Sequence, residues 1–392
     1  MPRVRFLATR DGKAAISLPP TDLTAEQTSV EGLREAFLER TGEHAFVLHD
    51  DGIGFGLEKD HYLVRLEGNF PDAADAYPTL EHARTWQQPG WFNETLRWLE
   101  DALGETVSTV KQVSTNDLAC VTRVETENRI VYLKASETWL EAALSAHLAD
   151  RHPALTPNVV AWDEPGRLLV TNDCGARLSE KNDLDVWRAA VKKLAYFQRA
   201  ADAHAFRALG CPVHTFTNLA DQAETFLHDA ATLHSWGLTA PQVSALSERV
   251  PYIRRAHERV LALNLPLRPA HGDAHPMNAL TGCGGVWFDW SEACVAHPLL
   301  DIGWFLAWFT HPARGTLPLR QAHPNAATDL WHRYLQTSDL PETTNLNDAV
   351  VLTLTHRALV YHERFYIWQG TVPGWRPEYV PYYLRCLLKL PL

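Results

Sequence analysis

The stretch that decides the fold is His271-Gly272-Asp273-Ala274-His275-Pro276-Met277-Asn278, followed by Val286-Trp287-Phe288-Asp289-Trp290. Asp273 and Asn278 stand five positions apart, across a loop shaped by Gly272 and Pro276. Gly282-Cys283-Gly284-Gly285 reads as a hairpin turn. It folds residues 279–281 against 286–288 and returns Asp289 towards Asn278. Two carboxylates and a carboxamide thereby gather around one point. Hard oxygen donors of this kind suit Mg²⁺, which takes one or two protein carboxylates and completes its shell with phosphate oxygens.

A base Asp, an Asn after four intervening residues and a metal Asp on the next hairpin is the spacing of a kinase active site. The block resembles the aminoglycoside phosphotransferase family, whose signature reads HGDxHxxN and then a hydrophobic residue, Asp and Trp. Ala296-His297-Pro298-Leu299-Leu300-Asp301-Ile302-Gly303 is similar to the segment that follows in that family. The resemblance implies an α+β, bilobed, protein-kinase-like fold, with a β-rich N-lobe and a mostly helical C-lobe. It spans about residues 91–392.

The resemblance also implies roles. Asp273 would accept or orient the proton of an attacking hydroxyl, and Asn278 and Asp289 would hold Mg²⁺ on the phosphates of ATP. Asp301 and His271 would support the loop, and His275 would pack beside it. Upstream, Lys134 ends the apolar strand Ile130-Val131-Tyr132-Leu133, where a lysine for the α- and β-phosphates belongs. Glu141, in the following helix, is its expected partner, with Glu137 as the runner-up. No GxGxxG covers the phosphates. Ser114 and Thr115 stand at the corresponding place, and the backbone near Thr171 and Asp173 would meet the adenine edge. The resemblance does not separate ATP from GTP.

Around this centre the chain reads as three parts: residues 1–90, 91–175 and 176–392. The first is a small α/β accessory module, with strands over 3–8, 44–49 and 61–67. Ser29 caps a helix over 30–40, and Gly42 stops it. Leu33-Arg34-Glu35 to Glu39 and Gly42 resembles a degraded Nudix box with its spacing off by one, so the module reads as a Nudix-like relic or an unrelated accessory module, without that activity. The glycine-rich run Asp51 to Gly56 reads as a turn. A helix begins at Trp91 and ends at Gly104. Strands follow over 113–124, 129–135, 159–163 and 167–171, with a helix over 137–150. Periodicity then gives long helices over 185–209, 218–236 and 241–263. The kinase-type part is long enough to fold without residues 1–88.

Composition narrows the function. The chain has 392 residues, 46% hydrophobic and 21% charged, which excludes disordered and fibrous classes. No apolar run reaches the ~18 residues of a membrane helix. Six cysteines stand far apart without a CxxC pair, which reads as reduced thiols in a cytoplasmic protein. The net charge of −11 and the lack of a dense basic run argue against nucleic acid as a partner. Asp221, Glu224, Asp229 and Glu292 suggest an acidic rim that attracts a cationic acceptor. The stretch from His356 to Arg364 is amphipathic and a candidate lining of the acceptor pocket.

The expected function is ATP-dependent phosphoryl transfer to a hydroxyl of an aminoglycoside-like, amino-sugar or amino-alcohol acceptor. The alternative is a catalytically weak, nucleotide-binding pseudokinase acting as an interaction module. Intact Lys134, Asp273, Asn278 and Asp289 speak for the enzyme. The short span from Asp289 to Asp301 leaves no room for the activation segment of a protein kinase. Oligomeric state stays open.

Overall fold

The computed structural model describes residues 2–10, 14–50, 62–68, 75–76, 84–116, 118–310, 317–368 and 379–390. The glycine-rich run at 51–56 and His61 lie outside them. The chain divides into two compact units.

The first unit comprises Met1–Ala142 and Asn158–Asp173. Its elements are β1 (Arg3–Thr9), β2 (Ala14–Ser17), β3 (Thr21–Asp22), α1 (Val30–Thr41), β4 (Ala45–His49), β5 (Tyr62–Gly68), β6 (Asp75–Ala76), α2 (Trp91–Leu103), β7 (Val107–Thr115), β8 (Ala119–Thr126) and β9 (Ile130–Ser136). After α3 (Leu140–Arg151) come β10 (Val159–Asp163) and β11 (Leu168–Asn172). One sheet runs β4-β5-β1-β2-β6 with β3 on β1; the other is antiparallel, in the order β10-β11-β9-β8-β7.

Local chemistry sets these elements. Ser29 accepts the Gly32 amide at the start of α1, and Gly42 (φ 74°) closes it, as the sequence predicts. In β8 and β9 every second residue is buried, the pattern of a half-buried strand. The strand expected over 113–124 is instead a hairpin. Asn116 accepts the amides of Leu118 and Ala119 and turns the chain there. The helix expected from 137 starts at Leu140, because the Glu137 amide is tied to the Leu118 carbonyl.

Both sheets have apolar clusters, but the second cluster recruits residues from the first 90. Leu48 and Trp86 pack with Phe92, Leu99, Val124, Val131 and Leu133. Phe46 stacks on Phe92 at 4.1 Å. The Gln112 carboxamide accepts the Val47 amide at 2.9 Å and donates to the Val47 carbonyl at 2.8 Å, so a side chain closes a backbone gap.

The second unit comprises Ala143–Pro157, Cys174–Gly370 and Arg376–Leu392. It holds α4 (Leu184–Ala200), α5 (Ala203–Ala208), β12 (Val213–His214), α6 (Leu219–His228), α7 (Ala230–Ser235), α8 (Ala240–Ser247), α9 (Val250–Ala262), β13 (Arg268–Ala270), β14 (Ala279–Leu280), β15 (Val286–Trp287) and β16 (Cys294–Ala296). Then come α10 (Leu299–Ala307), α11 (Pro318–Ala322), α12 (Ala326–Ser338), α13 (Leu346–Trp368) and α14 (Tyr379–Lys389). Each long helix expected between 185 and 263 is broken once. Asp202 and Asp229 cap new helices at α5 and α7, and Pro251 sits in the first turn of α9. β12-β16-β13 form a small sheet, and β14 and β15 form the expected hairpin, with Ala279 opposite Trp287. A Cβ on Gly303 would lie 2.3 Å from Thr353 Oγ1 and 2.5 Å from the Ala349 carbonyl, so a bare glycine lets α10 and α13 touch.

The expectation of six free thiols is corrected for one pair. Cys174 and Cys283 form a disulfide with Cα atoms 5.3 Å apart, bridging residues 109 positions apart that no spacing rule connects. The cysteine count therefore carries no argument about compartment. The other four cysteines are buried, and burial pushes the Cys120 and Cys211 thiols up to about 12.

Two predictions follow from the packing. Unfolding without reductant should expose four titratable thiols; six would contradict the Cys174–Cys283 bond. Deleting residues 1–88 removes Phe46, Leu48 and Trp86 from the second cluster, so the expectation that the remainder folds alone is revised. Large apolar truncations cost ~2–5 kcal/mol each. Thermal unfolding of the truncated chain should lose its cooperative transition, and a transition like that of the full chain would refute the shared core.

Candidate active site

The loop after β13 is built around a buried carboxylate. Asp301, in the first turn of α10, is fully buried. Its Oδ2 accepts the His271 amide at 2.8 Å, and its Oδ1 accepts the Gly272 amide at 2.9 Å. Gln198 adds a third donor at 3.1 Å. Burial lifts the Asp301 carboxyl to about 6, while these donors pull it back towards the ionised form. Gly272 has φ 80°, and a Cβ there would fall on the Glu292 carbonyl oxygen. Only glycine lets the loop lie against residue 292.

The histidines fasten the loop. His271 is buried between Trp287 and Trp290, with ring centroids at 5.6 and 4.4 Å. Its Nδ1 accepts the Asp273 amide at 3.3 Å, so Nε2 carries the proton and donates to the Phe288 carbonyl at 2.8 Å. Burial holds this imidazole down to about 4, hence neutral. His275 Nδ1 accepts the Met277 amide at 3.2 Å, which turns a protonated Nε2 to Asp273 Oδ2 at 3.3 Å.

Of the three residues expected around one point, Asp273 and Asn278 are in direct contact. The Asn278 amide nitrogen donates to the Asp273 carbonyl at 3.1 Å and to Asp273 Oδ2 at 3.2 Å. The Phe288 amide donates to the Asn278 carbonyl at 3.0 Å, one residue before Asp289. Asp289 adopts a left-handed conformation (φ 62°) that Asp tolerates better than most residues, and its Oδ1 accepts the Ser291 hydroxyl at 2.8 Å.

Two partners of Asp273 are not anticipated by the sequence. Trp304 Nε1, from α10, donates to Oδ1 at 2.8 Å, and Arg357 Nη2, from α13, donates to Oδ1 at 2.7 Å. Arg357 lies within the amphipathic stretch expected to line an acceptor pocket, but nothing in its spacing signals Asp273 as its target. Burial would raise the Asp273 carboxyl, yet His275 and the Arg357 guanidinium hold it well below the usual carboxylate range.

In the first unit, Lys134 Nζ sits 2.7 Å from Glu141 Oε1, and Ser136 donates to Oε2 of the same carboxylate. The runner-up, Glu137, pairs with Arg84 at 3.2 Å. One expectation needs correction and another is narrowed. Thr115 is buried, with its hydroxyl beside the Cys120 thiol, while Ser114 is half-buried at the end of β7. Thr115 therefore faces the sheet core and does not line phosphates. Thr171 lies inside β11, and the amides of Asn172 and Asp173 already donate to the carbonyls of Asn158 and Ile130. An adenine edge would need other groups of this segment than those two amides.

A β-sheet unit with a lysine–glutamate pair and a helical unit with this loop define a protein-kinase-like fold. Residues 129–336, just over half of the chain, match the model of the phosphotransferase enzyme family, and the chain belongs to that family. It is a phosphotransferase. Among solved structures, choline kinase LicA from Streptococcus pneumoniae is 12% identical, with a TM-score of 0.52 over 76% of this chain and 97% of the other. A choline/ethanolamine kinase family protein from Mesorhizobium loti is 16% identical, with a TM-score of 0.52 over 76% and 95%. Macrolide 2′-phosphotransferase type I is 14% identical, with a TM-score of 0.50 over 76% and 97%. These likenesses show the bilobed fold. No curated protein matches the chain in sequence.

Asp301→Ala should orphan the His271 and Gly272 amides, at ~1–3 kcal/mol for each buried donor. Urea unfolding should register that loss. A stability within about 0.5 kcal/mol of wild type would show that the loop does not depend on Asp301.

Proposed function

We propose that this phosphotransferase transfers the γ-phosphoryl group of ATP to a hydroxyl of a small molecule. One observation carries the reading: Asp273 and Asn278 share hydrogen bonds on a loop whose backbone amides end on Asp301. Asp273 is read as the group that receives or orients the hydroxyl proton. Its side chain keeps 21% exposure, enough to meet an acceptor. Lys134, held by Glu141, is read as the cation for the α- and β-phosphates. Residues 1–90 are read as an accessory module. In phosphoryl transfer most of the rate comes from positioning and charge neutralisation.

Asn278 and Asp289 would hold Mg²⁺. The fit rests on donor chemistry. The Asn278 nitrogen is engaged by Asp273, which leaves its carbonyl oxygen as the donor end, and Asp289 adds a carboxylate. Both are hard oxygen ligands. Bound there, the ion would neutralise charge on the phosphate oxygens.

Ion pairing offsets part of the acidic rim expected to attract a cationic acceptor. Arg254 lies 2.9 Å from Asp221 and also pairs with Glu224. Asp229 caps α7, and Glu292 lies 3.4 Å from Arg357 and 3.3 Å from Arg364. A neutral hydroxylated acceptor fits this balance at least as well as a cation. Relatives with this fold are named for choline, choline/ethanolamine and macrolides, so those classes belong in the first screen.

Asp273→Asn should lower turnover by ~10²–10⁴ while Mg·ATP still raises the melting temperature. Turnover above about a tenth of wild type would remove Asp273 from this role. Asn278→Ala and Asp289→Ala should both weaken the Mg·ATP-dependent thermal shift, and an unchanged shift in both would remove them as ligands. Turnover should change little with added salt, whereas a steep fall would restore the cationic acceptor.

A further inference from the structure

We propose that Arg357 is a positioning residue for Asp273, clamping one carboxylate oxygen so that the other is presented to the acceptor hydroxyl. This rests on the reading of Asp273 as the residue that meets that hydroxyl.

The two oxygens of Asp273 are held differently. Oδ1 takes short bonds from Arg357 Nη2 at 2.7 Å and Trp304 Nε1 at 2.8 Å. Oδ2 takes longer ones, from Asn278 at 3.2 Å and His275 at 3.3 Å. Charge-assisted bonds of the first length are the strong ones, so Oδ1 is the anchored edge. An incoming hydroxyl displaces a weak contact at Oδ2 more readily than the clamp at Oδ1.

The clamp grips the loop twice. Arg357 Nη1 donates to the Gly272 carbonyl at 2.6 Å while Nη2 holds the Asp273 side chain. A planar guanidinium bridges backbone and carboxylate in this way, and an ammonium does not. The guanidinium is itself fixed. It lies over Trp304 at 4.3 Å, Tyr361 at 5.1 Å and Tyr383 at 5.4 Å. Its side chain is 5% exposed, against 21% for Asp273, so the clamp is internal and the clamped group is reachable. Glu292, which accepts from Tyr361, lies 3.4 Å from Arg357 and 3.3 Å from Arg364, so it shares the Arg357 guanidinium with Asp273. The contact of α10 with α13 through Gly303 carries Trp304 and Arg357 to the same oxygen.

The test uses Arg357→Ala, Arg357→Lys and the double variant R357M/E292Q, which removes with the arginine the second carboxylate it pairs with. ADP release from Mg·ATP, with the acceptor found by screening, gives kcat and the KM for ATP. Arg357→Ala should lose ~10²-fold in kcat, the scale of a misplaced reacting group, with the KM for ATP within about twofold. Millimolar methylguanidinium should restore at least about tenfold of that loss, and Arg357→Lys should fall between wild type and Arg357→Ala. If Arg357→Ala does not fold, R357M/E292Q is read by kcat and the KM for ATP alone, because methionine fills the buried space that methylguanidinium would enter. The proposal is overturned if kcat stays within about threefold of wild type. It is also overturned if folded Arg357→Ala loses kcat and methylguanidinium restores nothing. Should Asp273→Asn keep full turnover, the fault lies with the proposed function; loss of turnover in Asp273→Asn beside normal Arg357 variants faults this inference alone.

Discussion

The Asp301 carboxylate is the fixed point of the helical unit. It is fully buried at the start of α10 and accepts the backbone amides of His271 and Gly272. A buried carboxylate is costly unless its lone pairs are filled, so the loop and α10 hold each other. The consequences run outward. His271 is placed between two tryptophans and tied to Phe288, and Phe288 is tied to Asn278. The hairpin carrying Asp289 is thus registered against the loop carrying Asp273 by backbone and imidazole bonds.

Around Asp273 the dominant constraint is charge. Asp273 and Glu292 face Arg357, with Arg364 at the outer side of Glu292. Burial raises the Glu292 carboxyl, and Arg357 opposes that rise. Such a network is stable only when complete, because removal of one member leaves a buried charge unpaired.

What was legible in the sequence was local. The loop and hairpin were readable because Gly272, Pro276 and the glycine turn dictate the backbone, and the motif fixes which side chains it carries. Lys134 was readable because strand alternation puts it on one face with Ile130 and Tyr132. Ser29 and Gly42 marked α1 for the same kind of reason. Long helical segments were legible as helical but not as broken, since apolar periodicity persists across Asp202 and Asp229 while the backbone stops to be capped. Nonlocal contacts stayed hidden. Arg357 reaches Asp273 across 84 positions, Cys174 reaches Cys283 across 109, and Gln112 reaches Val47 across 65. Thr115 was misassigned because a hydroxyl near a strand end says nothing about which face it occupies once the hairpin turns at Asn116.

The central claim is transfer of a phosphoryl group to an acceptor hydroxyl at Asp273. ³¹P NMR tests it most directly, on purified protein with Mg·ATP and a panel of aminoglycosides, macrolides, sugars and amino alcohols. The account predicts that one acceptor class yields a new phosphate monoester resonance in step with ADP. Release of inorganic phosphate alone across the panel, or no consumption of ATP, would contradict it.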